Sequence, residues 1–384
     1  MAIVSQQAGR PGRWVELGML VLALAIGMYA YLQVGLATTG SPPAGLVTQL
    51  GVLVLLAVVT HVVLRWRAPY ADPVILPTAV ALNGLGLAMI HRIDYAEGTS
   101  FASRQVLWTM LGVAAAVAVV IALRDHRLLR RYTYLSMIVG LVMLLLPLVP
   151  GLGATINGAR IWISLGPLSF QPAELAKVLL AVFFAGYLVT NRDTLALAGP
   201  KVLGLQLPRV RDLGPILLAW GVALVVLVFQ RDLGTALLFF ALFVAMLYVA
   251  TERLSWVLLG LLLFGGGAAL AASTLGHVSA RFDVWLNALD NDIYSREFGG
   301  SYQVVQGLFG MASGGLMGTG WGQGRPDIVP YAHSDFIIAS LAEELGLTGL
   351  LAILLMYLVL VQRGMRAAIG VRDGFGTLLA SGLS

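Results

Sequence analysis

The chain has 384 residues, of which 59% are hydrophobic and only 11% are charged, and its mean hydropathy is +0.87. An ordinary soluble domain is about half apolar and about a quarter charged, so this composition excludes a soluble protein and indicates an integral membrane protein. The lack of cysteine excludes disulfides and thiolate chemistry. The net charge of +5 does not require a nucleic-acid partner, because the basic residues are distributed among the loops.

Apolar runs of about twenty residues recur along the chain, and strict two-residue alternation does not. The sequence therefore predicts an all-α bundle of spanning helices, a polytopic membrane protein. The first run is too long for the core of a signal peptide, so it is expected to be retained. Ten spans are predicted, at about residues 14–36, 46–64, 73–91, 104–122, 132–149, 173–190, 213–229, 234–250, 255–273 and 335–361.

The arginines and lysines predict the orientation of these spans. If the N-terminus is cytoplasmic, sixteen basic residues lie in cytoplasmic segments and seven in outer segments. This excess predicts a cytoplasmic N-terminus. Two outer loops are then long, at about 150–172 and at 274–334, the second directly before the last span. Loops of that length within a compact protein tend to carry function.

The second outer loop contains the glycine-rich stretch GGSYQVVQGLFGMASGGLMGTGWGQG. It does not follow the order of strand, Gly-x-Gly-x-x-Gly and helix that marks a phosphate-binding fingerprint. Gly310, Gly314 and Gly318 are instead spaced by four residues. This spacing favours a short helix packed closely against spanning helices.

Polar residues at or within the spans are the strongest signs of function, because charges are costly there. The segment from Gln171 to Lys177 opens a helix with Pro172 in its first turn. It places Glu174 and Lys177 three residues apart on one face, either as a local ion pair or as ligand contacts. Arg160 lies in the loop just before, where a guanidinium suits a bidentate contact with phosphate.

The turn Gln-Arg-Asp-Leu-Gly-Thr at 230–235 separates two predicted spans. Asp232 in this turn either caps the helix that follows or belongs to a polar pocket. The sequence leaves both interpretations open, because spacing alone does not show whether the helices that carry these charges converge.

The stretch 333–346 starts in a polar loop and enters an apolar helix. Asp335 stands where the helix begins, so it can cap free backbone N–H groups. A cap explains neither His333 nor Glu343 and Glu344 further along, so a functional role for this stretch stands beside the capping interpretation. The two glutamates are expected to tie helices together through buried hydrogen bonds. His333 is expected to anchor the loop or contact substrate rather than bind a metal.

Together these motifs resemble the SEDS family of polytopic membrane proteins, which includes RodA, FtsW and SpoVE. The first five spans resemble a longer RodA form, with two extra helices in an N-terminal region of residues 1–131 before a core of 132–384. Four ordered blocks carry the resemblance: NGARIWISLGPLSFQPAELAK (157–177), QRDLGTALLFF (230–240), YQVVQGLFGMASGGLMGTGWGQG (302–324) and HSDFIIASLAEELGLTG (333–349).

The resemblance implies a peptidoglycan glycosyltransferase that polymerises lipid II outside the bacterial cytoplasmic membrane during cell elongation. The family's catalytic aspartate corresponds to Asp335. Its outer-loop arginine and the Gln-Pro-x-Glu-x-x-Lys motif correspond to Arg160, Glu174 and Lys177, and the aspartate of its Pro-Asp-x-Gly-Thr motif to Asp232. The implied partners are a class B penicillin-binding protein and the membrane proteins of the elongation complex, with no nucleic acid.

The chain departs from the family pattern at three places. Arg231 stands where proline is usual and Ser334 where threonine is usual, and both changes are expected to be tolerated. Family members continue for two more spanning helices, whereas the final FGTLLASGLS of this chain is too short to span. A C-terminally shortened protein is therefore expected.

The implied reaction joins a sugar hydroxyl to an anomeric carbon that carries a lipid diphosphate, with inversion of that carbon. Diphosphate departs readily as an anion, so one carboxylate base suffices, and Asp335 is the candidate. Arg160 and Lys177, with a divalent cation such as Mg²⁺ or Mn²⁺, would balance the leaving group. The alternatives are a lipid II flippase, which would need coupling charges nearer the midplane, and a non-catalytic scaffold for a penicillin-binding protein.

Overall fold

The computed structural model describes residues 13–156, 159–165, 168–192, 232–297 and 299–384, with short pieces at 201–202, 205–206, 214, 218 and 221–222. The predicted span at 213–229 therefore lies almost wholly outside the described residues, and so does Arg231. The nine other predicted spans fall on described residues.

Long helices occupy those nine predicted spans. Within the described residues, eight helical segments are long and apolar enough to cross a membrane, which confirms the predicted all-α membrane fold. The ninth, α3, is as long but carries Arg92, Asp94 and Glu97 near its end. The helices are α1 Arg13–Thr39, α2 Leu46–Arg67, α3 Ile75–Glu97, α4 Phe101–Ala122, α5 Thr133–Leu145, α6 Pro172–Thr190, α7 Leu233–Thr251, α8 Leu254–Thr274, α9 Gly276–Leu286, α10 Asn291–Tyr294, α11 Tyr302–Gly314, α12 Ile337–Gly370 and α13 Gly374–Leu383.

The chain folds into two compact units, each built from two separate stretches of sequence. The first unit comprises residues 1–124 and 280–363, and the second comprises residues 125–279 and 364–384. The boundary predicted at residue 131 separates the region with the extra N-terminal helices from the family core. It is not a boundary between compact units, and it stays a prediction.

In the first unit, small residues let α1 and α3 approach closely. A Cβ atom at Gly27 would lie 3.0 Å from the Cα of Gly84, so a side chain at either position would push the two helices apart. Beside this contact Tyr31, Met89 and Ile93 are buried in one apolar cluster. The same cluster includes residues of the loop before α12 and of α12 itself, so the start of α12 rests on α3.

In the second unit, aromatic side chains fill the space around α6 and α7. Phe183, Phe184 and Phe239 are 1% exposed or less, and Phe375 of α13 belongs to the same cluster. Rings of this size bury large apolar areas and stack at angles to one another, as Phe183 and Phe184 do at 5.3 Å between centroids. This core holds the N-terminal end of α6 next to that of α7.

A small antiparallel sheet lies between α5 and α6, inside the predicted loop at 150–172. Its strands are β1 Gly153–Ile156, β2 Ala159–Leu165 and β3 Leu168–Phe170, in the order β1-β2-β3. The sequence analysis predicted no strands here. Ile161, Trp162 and Ile163 favour a strand, and the sheet delivers the chain directly to Gln171 at the start of α6.

The predicted loop at 274–334 contains the helices α9, α10 and α11. The glycine face of α11 lies against α12, because a Cβ atom at Gly310 would meet Oε2 of Glu343 at 3.6 Å and one at Gly314 would meet the Glu343 carbonyl oxygen at 2.6 Å. The packing interpretation is confirmed for these two residues. Gly318 also packs against α12, because a Cβ atom there would clash with the backbone of Glu344. It lies beyond the end of α11, at a φ of +82°, so only the helical part of the prediction is wrong for this residue.

Helix α12 is broken at Gly346, where φ is 70° and ψ is −175°. Only glycine adopts such a backbone conformation without strain. The residues 315–320, which follow α11, supply partners to the backbone groups that the break frees, as buried backbone requires. These bonds join Leu347 N to Gly315 O (2.9 Å), Thr348 N to Leu316 O (3.1 Å), Thr319 N to Glu343 O (3.0 Å) and Gly320 N to Glu344 O (2.9 Å).

Candidate active site

Asp335 lies in a tight turn, not in the first turn of α12 as predicted. The turn is closed by backbone bonds from Ser334 N (3.1 Å) and Phe336 N (3.2 Å) to the carbonyl oxygen of Tyr331, and α12 begins only at Ile337. The Asp335 side chain is exposed. Within the described part of the chain it makes no capping bond and no ion pair, so the capping interpretation was wrong. An exposed carboxylate without a structural partner is available to a ligand.

His333 is held by an aromatic contact. Its imidazole stacks on Phe101 with ring centroids 3.8 Å apart and an angle of 9° between the planes. Its Nδ1 lies 4.0 Å from Oε2 of Glu97 and is buried without a hydrogen-bond partner among the described residues. These contacts fit the predicted loop-anchoring role, because they fix the loop before Asp335 to the ends of α3 and α4.

Glu343 and Glu344 are both buried, at 6% and 1% exposure. Glu343 accepts hydrogen bonds from Arg325 N at 3.0 Å and from Ser313 Oγ at 3.4 Å. Glu344 accepts from Gly322 N at 2.9 Å and from Gly324 N at 3.3 Å. The predicted role of the two glutamates as buried ties is confirmed, and their partner is the glycine-rich segment after α11.

Arg92 completes this network, and the sequence analysis missed it. The predicted span 73–91 ended one residue before Arg92 and left it in an outer segment, whereas it lies inside α3 at 7% exposure. Its Nε donates to Oε1 of Glu344 at 3.0 Å and its Nη2 to the carbonyl oxygen of Gly324 at 2.7 Å. The available signal was an arginine one turn before the end of an apolar helix, where a buried charge needs a partner.

An exposed ion pair follows the network in the chain. Arg325 donates to both carboxylate oxygens of Asp327, at 3.2 and 3.0 Å. This hydrogen-bonded guanidinium holds the pKa of Asp327 below its usual range, and the carboxylate raises the pKa of Arg325. The pair lies in the same loop as Asp335 but is already satisfied internally.

In the second unit, Asp232 is the N-cap of α7. Its Oδ1 accepts from Thr235 N at 3.0 Å, and its Oδ2 accepts from Nε2 of Gln171 at 3.4 Å. The capping interpretation of Asp232 is confirmed. The Gln171 contact also joins the N-terminal ends of α6 and α7, so one polar cluster contains residues from two separate sequence motifs.

Glu174 and Lys177 form the local ion pair that their spacing allows. Lys177 Nζ lies 2.8 Å from Oε2 of Glu174, and the side chains of Lys177 and Glu174 are 27% and 57% exposed. Arg160 on β2 donates from Nη2 to the carbonyl oxygen of Val149 at 3.3 Å. Its Nε is buried without a hydrogen-bond partner among the described residues. Among the described residues, no hydrogen bond or ion pair links Arg160 to Glu174 or Lys177.

The predicted site residues thus fall into two sets. His333, Asp335, Glu343 and Glu344 belong to the first unit, and the structure brings them together around the start of α12. Arg160, Gln171, Glu174, Lys177 and Asp232 belong to the second unit. Among the described residues, no three histidine, aspartate or glutamate side chains converge as a metal site. A divalent cation stays a prediction, and Mg²⁺ commonly takes one or two carboxylates together with substrate phosphates.

Comparison with known proteins decides the family. The family model FTSW_RODA_SPOVE, described as cell cycle protein, matches residues 73–384. The chain belongs to this family. It is therefore a multi-pass membrane protein of the FtsW, RodA and SpoVE type. The matched range starts just before α3, and the interpretation of α1 and α2 as extra helices stays a prediction.

Within this family the chain is similar to curated relatives over most of its length. Peptidoglycan glycosyltransferase RodA of Mycobacterium leprae (strain TN) is 48% identical over 332 residues, covering 84% of this chain and 69% of the relative. Probable peptidoglycan glycosyltransferase FtsW of Geobacter sp. (strain M18) is 31% identical, covering 82% of this chain and 83% of the relative.

A solved structure shares the fold. Its description reads "Structural coordination of polymerization and crosslinking by a peptidoglycan synthase complex". One chain of that structure matches this chain with a TM-score of 0.50 and 24% sequence identity. The match covers 87% of this chain and 81% of that chain. This likeness supports the fold of the family member described here.

Proposed function

We propose that this chain is a peptidoglycan glycosyltransferase that polymerises lipid II into glycan strands. The observation that carries the proposal is its 48% identity, over 84% of its length, to a protein named peptidoglycan glycosyltransferase RodA. Resemblance to RodA also makes cell elongation the process in which the enzyme acts. The geometry of the first unit supports the proposal, because Asp335 is an exposed carboxylate that has no hydrogen-bond or ion-pair partner among the described residues.

The proposed chemistry is a direct displacement. A sugar hydroxyl attacks the anomeric carbon of lipid II, the new glycosidic bond forms, the bond to the diphosphate oxygen breaks, and the anomeric carbon inverts. Asp335 accepts the hydroxyl proton as general base, and positioned bases of this kind contribute about 10²–10⁴-fold to rate. An uncommitted carboxylate suits this role, because no hydrogen bond from the described residues must be broken first.

The departing group is a lipid diphosphate, which needs positive charge near it. Arg160 and Lys177 are the proposed cations, because guanidinium and ammonium groups bind phosphate through strong charge-assisted hydrogen bonds. Glu174, Asp232 and His333 are proposed substrate-binding residues on the strength of the family motifs. A bound Mg²⁺ or Mn²⁺ would add to the stabilisation of the developing charge.

The proposed setting is the bacterial cytoplasmic membrane, with the N-terminus inside and the site on the outer face. The distribution of arginine and lysine supports this orientation. The proposed partners are lipid II, a class B penicillin-binding protein that crosslinks the glycan strands, and other membrane proteins of the elongation complex.

The test is lipid II polymerisation by the purified protein, alone and with its penicillin-binding partner. The parent should produce glycan strands, Asp335→Asn should produce none, and Asp327→Asn should match the parent within about twofold. The last variant is a matched control, since Asp327 is a carboxylate of the same loop already paired with Arg325. Lipid II crossing proteoliposome membranes without polymerisation would instead show a flippase.

A further inference from the structure

Arg92 has no part in the chemistry described above, yet it joins three elements of the first unit. It belongs to α3, it bonds the carbonyl oxygen of Gly324 in the glycine-rich segment, and it forms an ion pair with Glu344 in α12. Its side chain is 9% exposed and that of Glu344 is 0% exposed. One guanidinium therefore connects these elements out of contact with water.

The network around Arg92 depends on charge balance. Glu343 and Glu344 are adjacent buried carboxylates. Among the described residues, the ion pair between Arg92 and Glu344 is the only ion pair that either carboxylate makes. Breaking a buried pair by removing one partner leaves an uncompensated charge, which destabilises its surroundings strongly. Without Arg92, the charge of Glu344 is left without its ion-pair partner in a buried site, so the segment bound to the two carboxylates is expected to move.

The loop that carries Asp335 is closed by this same network. Its first end is Arg325, whose backbone N–H donates to Glu343 at 3.0 Å. Its second end is Ile337, the first residue of α12, less than two turns from Glu343. In between, Val329 and Ala332 are buried, and the carbonyl oxygen of Pro330 accepts from Nε2 of Gln303 at 2.9 Å. The position of Asp335 is thus fixed by a closed loop whose closure is the carboxylate network.

We propose that Arg92 is a positioning residue for Asp335. By balancing Glu344 and holding Gly324, it keeps the segment 318–325 on α12 and so fixes the loop in which Asp335 lies. This inference rests on the proposed function. Displacement of a reacting group by about 1 Å can cost about 10²-fold in rate, and the loss falls on kcat when substrate binding elsewhere is unchanged.

The kinetic test uses four variants of the full chain with its penicillin-binding partner. Arg92→Gln should lower kcat for lipid II polymerisation about 100-fold and change KM less than about threefold. Arg92→Lys keeps the charge but loses one of the two hydrogen bonds of the guanidinium. Its kcat should therefore be about tenfold higher than that of Arg92→Gln. Arg92→Gln with Glu344→Gln should be no worse than Arg92→Gln alone, because the unpaired charge is gone.

Arg363→Gln is the matched control, and it should remain within about twofold of the parent. Arg363 is also an arginine of the first unit in an ion pair, with Asp72 at 3.5 Å, but it lies in α12 far beyond the break at Gly346. A parent-like kcat in Arg92→Gln would overturn the proposal. So would a loss of kcat that Arg92→Lys does not relieve.

Amide hydrogen exchange separates positioning from global unfolding and does not require activity. Arg92→Gln should exchange faster than the parent within residues 318–336, while the helices of the second unit keep the exchange rates of the parent. Faster exchange throughout the chain, or unchanged exchange in 318–336, would overturn the positioning role. If the parent itself fails to polymerise lipid II, the proposed function fails, and the exchange pattern alone still decides whether Arg92 holds this loop.

Discussion

Asp232 and Asp335 occupy similar places in the sequence, each just before an apolar helix, but their carboxylates differ in what they bind. Asp232 caps α7 and also accepts a hydrogen bond from Gln171. Asp335 lies in a turn two residues before α12 and is exposed, without a partner among the described residues. A carboxylate that already accepts two structural hydrogen bonds can contribute to binding only beside its structural role, whereas a carboxylate without such bonds is available to accept a proton.

The largest expected effect separates the two aspartates by activity. Asp335→Asn should lower lipid II polymerisation about 10²–10⁴-fold, because the amide cannot accept the hydroxyl proton. Its melting temperature should stay that of the parent, since the native carboxylate makes no stabilising contact among the described residues. A parallel fall in melting temperature would mean that Asp335 is structural after all. Polymerisation assays and thermal unfolding on the same preparations make the comparison.

A second expected effect concerns the exposed pair Glu174 and Lys177. Lys177→Gln should raise KM for lipid II roughly tenfold, because a charge-assisted hydrogen bond to phosphate is lost. Stability should change by less than about 1 kcal/mol, since exposed ion pairs contribute little. Glu174→Gln removes the same ion pair but keeps the lysine, and it should raise KM less than Lys177→Gln does. If both variants weaken binding equally, the lysine acts through its pair rather than through the diphosphate.

A smaller effect tests the cap. Asp232→Ala should destabilise the protein by about 1 kcal/mol, the typical cost of losing an N-cap side chain. Asp232→Asn should restore most of that stability, because asparagine is an N-cap of similar strength. Thermal unfolding measures both. Should Asp232→Asn be stable yet inactive, the family motif has a direct role in substrate binding that the capping contact does not explain.

The smallest expected effect is a pH dependence of the stability that the Arg325 and Asp327 ion pair contributes to the fold. The pKa of Asp327 is lower in the folded protein than its ordinary value, chiefly because Arg325 hydrogen-bonds the carboxylate. The pair therefore stabilises the fold at pH values above about 4, and this contribution is lost as the pH falls through the folded pKa. Melting temperatures of parent and Asp327→Asn should differ at about pH 6 and converge as the pH falls below the folded pKa of Asp327. A constant difference would contradict the assignment.

Hydropathy predicted the spanning helices well because the membrane forces backbone groups to be satisfied within each apolar segment. Glu343 and Glu344 were predicted as buried ties for a related reason, since carboxylates deep in an apolar helix need donors. Both inferences depend on local sequence, because the hydrocarbon of the membrane offers no hydrogen-bond partners to polar groups.

Other features depend on contacts distant in sequence. The sheet β1–β3 has strands of three to seven residues, too short to stand out from a loop by pattern. Arg92 was left outside the predicted span 73–91, because the partner that balances its charge, Glu344, lies 252 residues away in the sequence. The prediction that Asp335 caps α12 was wrong because a turn at Tyr331, with a φ of 58°, precedes the helix. The helix therefore begins at Ile337, two residues later than predicted.

The break at Gly346 also bears on how α12 fits the bilayer. As one straight rod its 34 residues would be about 51 Å long, well beyond a hydrocarbon thickness of about 30 Å. The part after Gly346 reaches about 36 Å, but its apolar stretch ends at Val361, just before Gln362 and Arg363, after only about 23 Å. The piece before the break therefore contributes to crossing the hydrocarbon, and it can hold two carboxylates there because Glu343 and Glu344 are buried and accept hydrogen bonds.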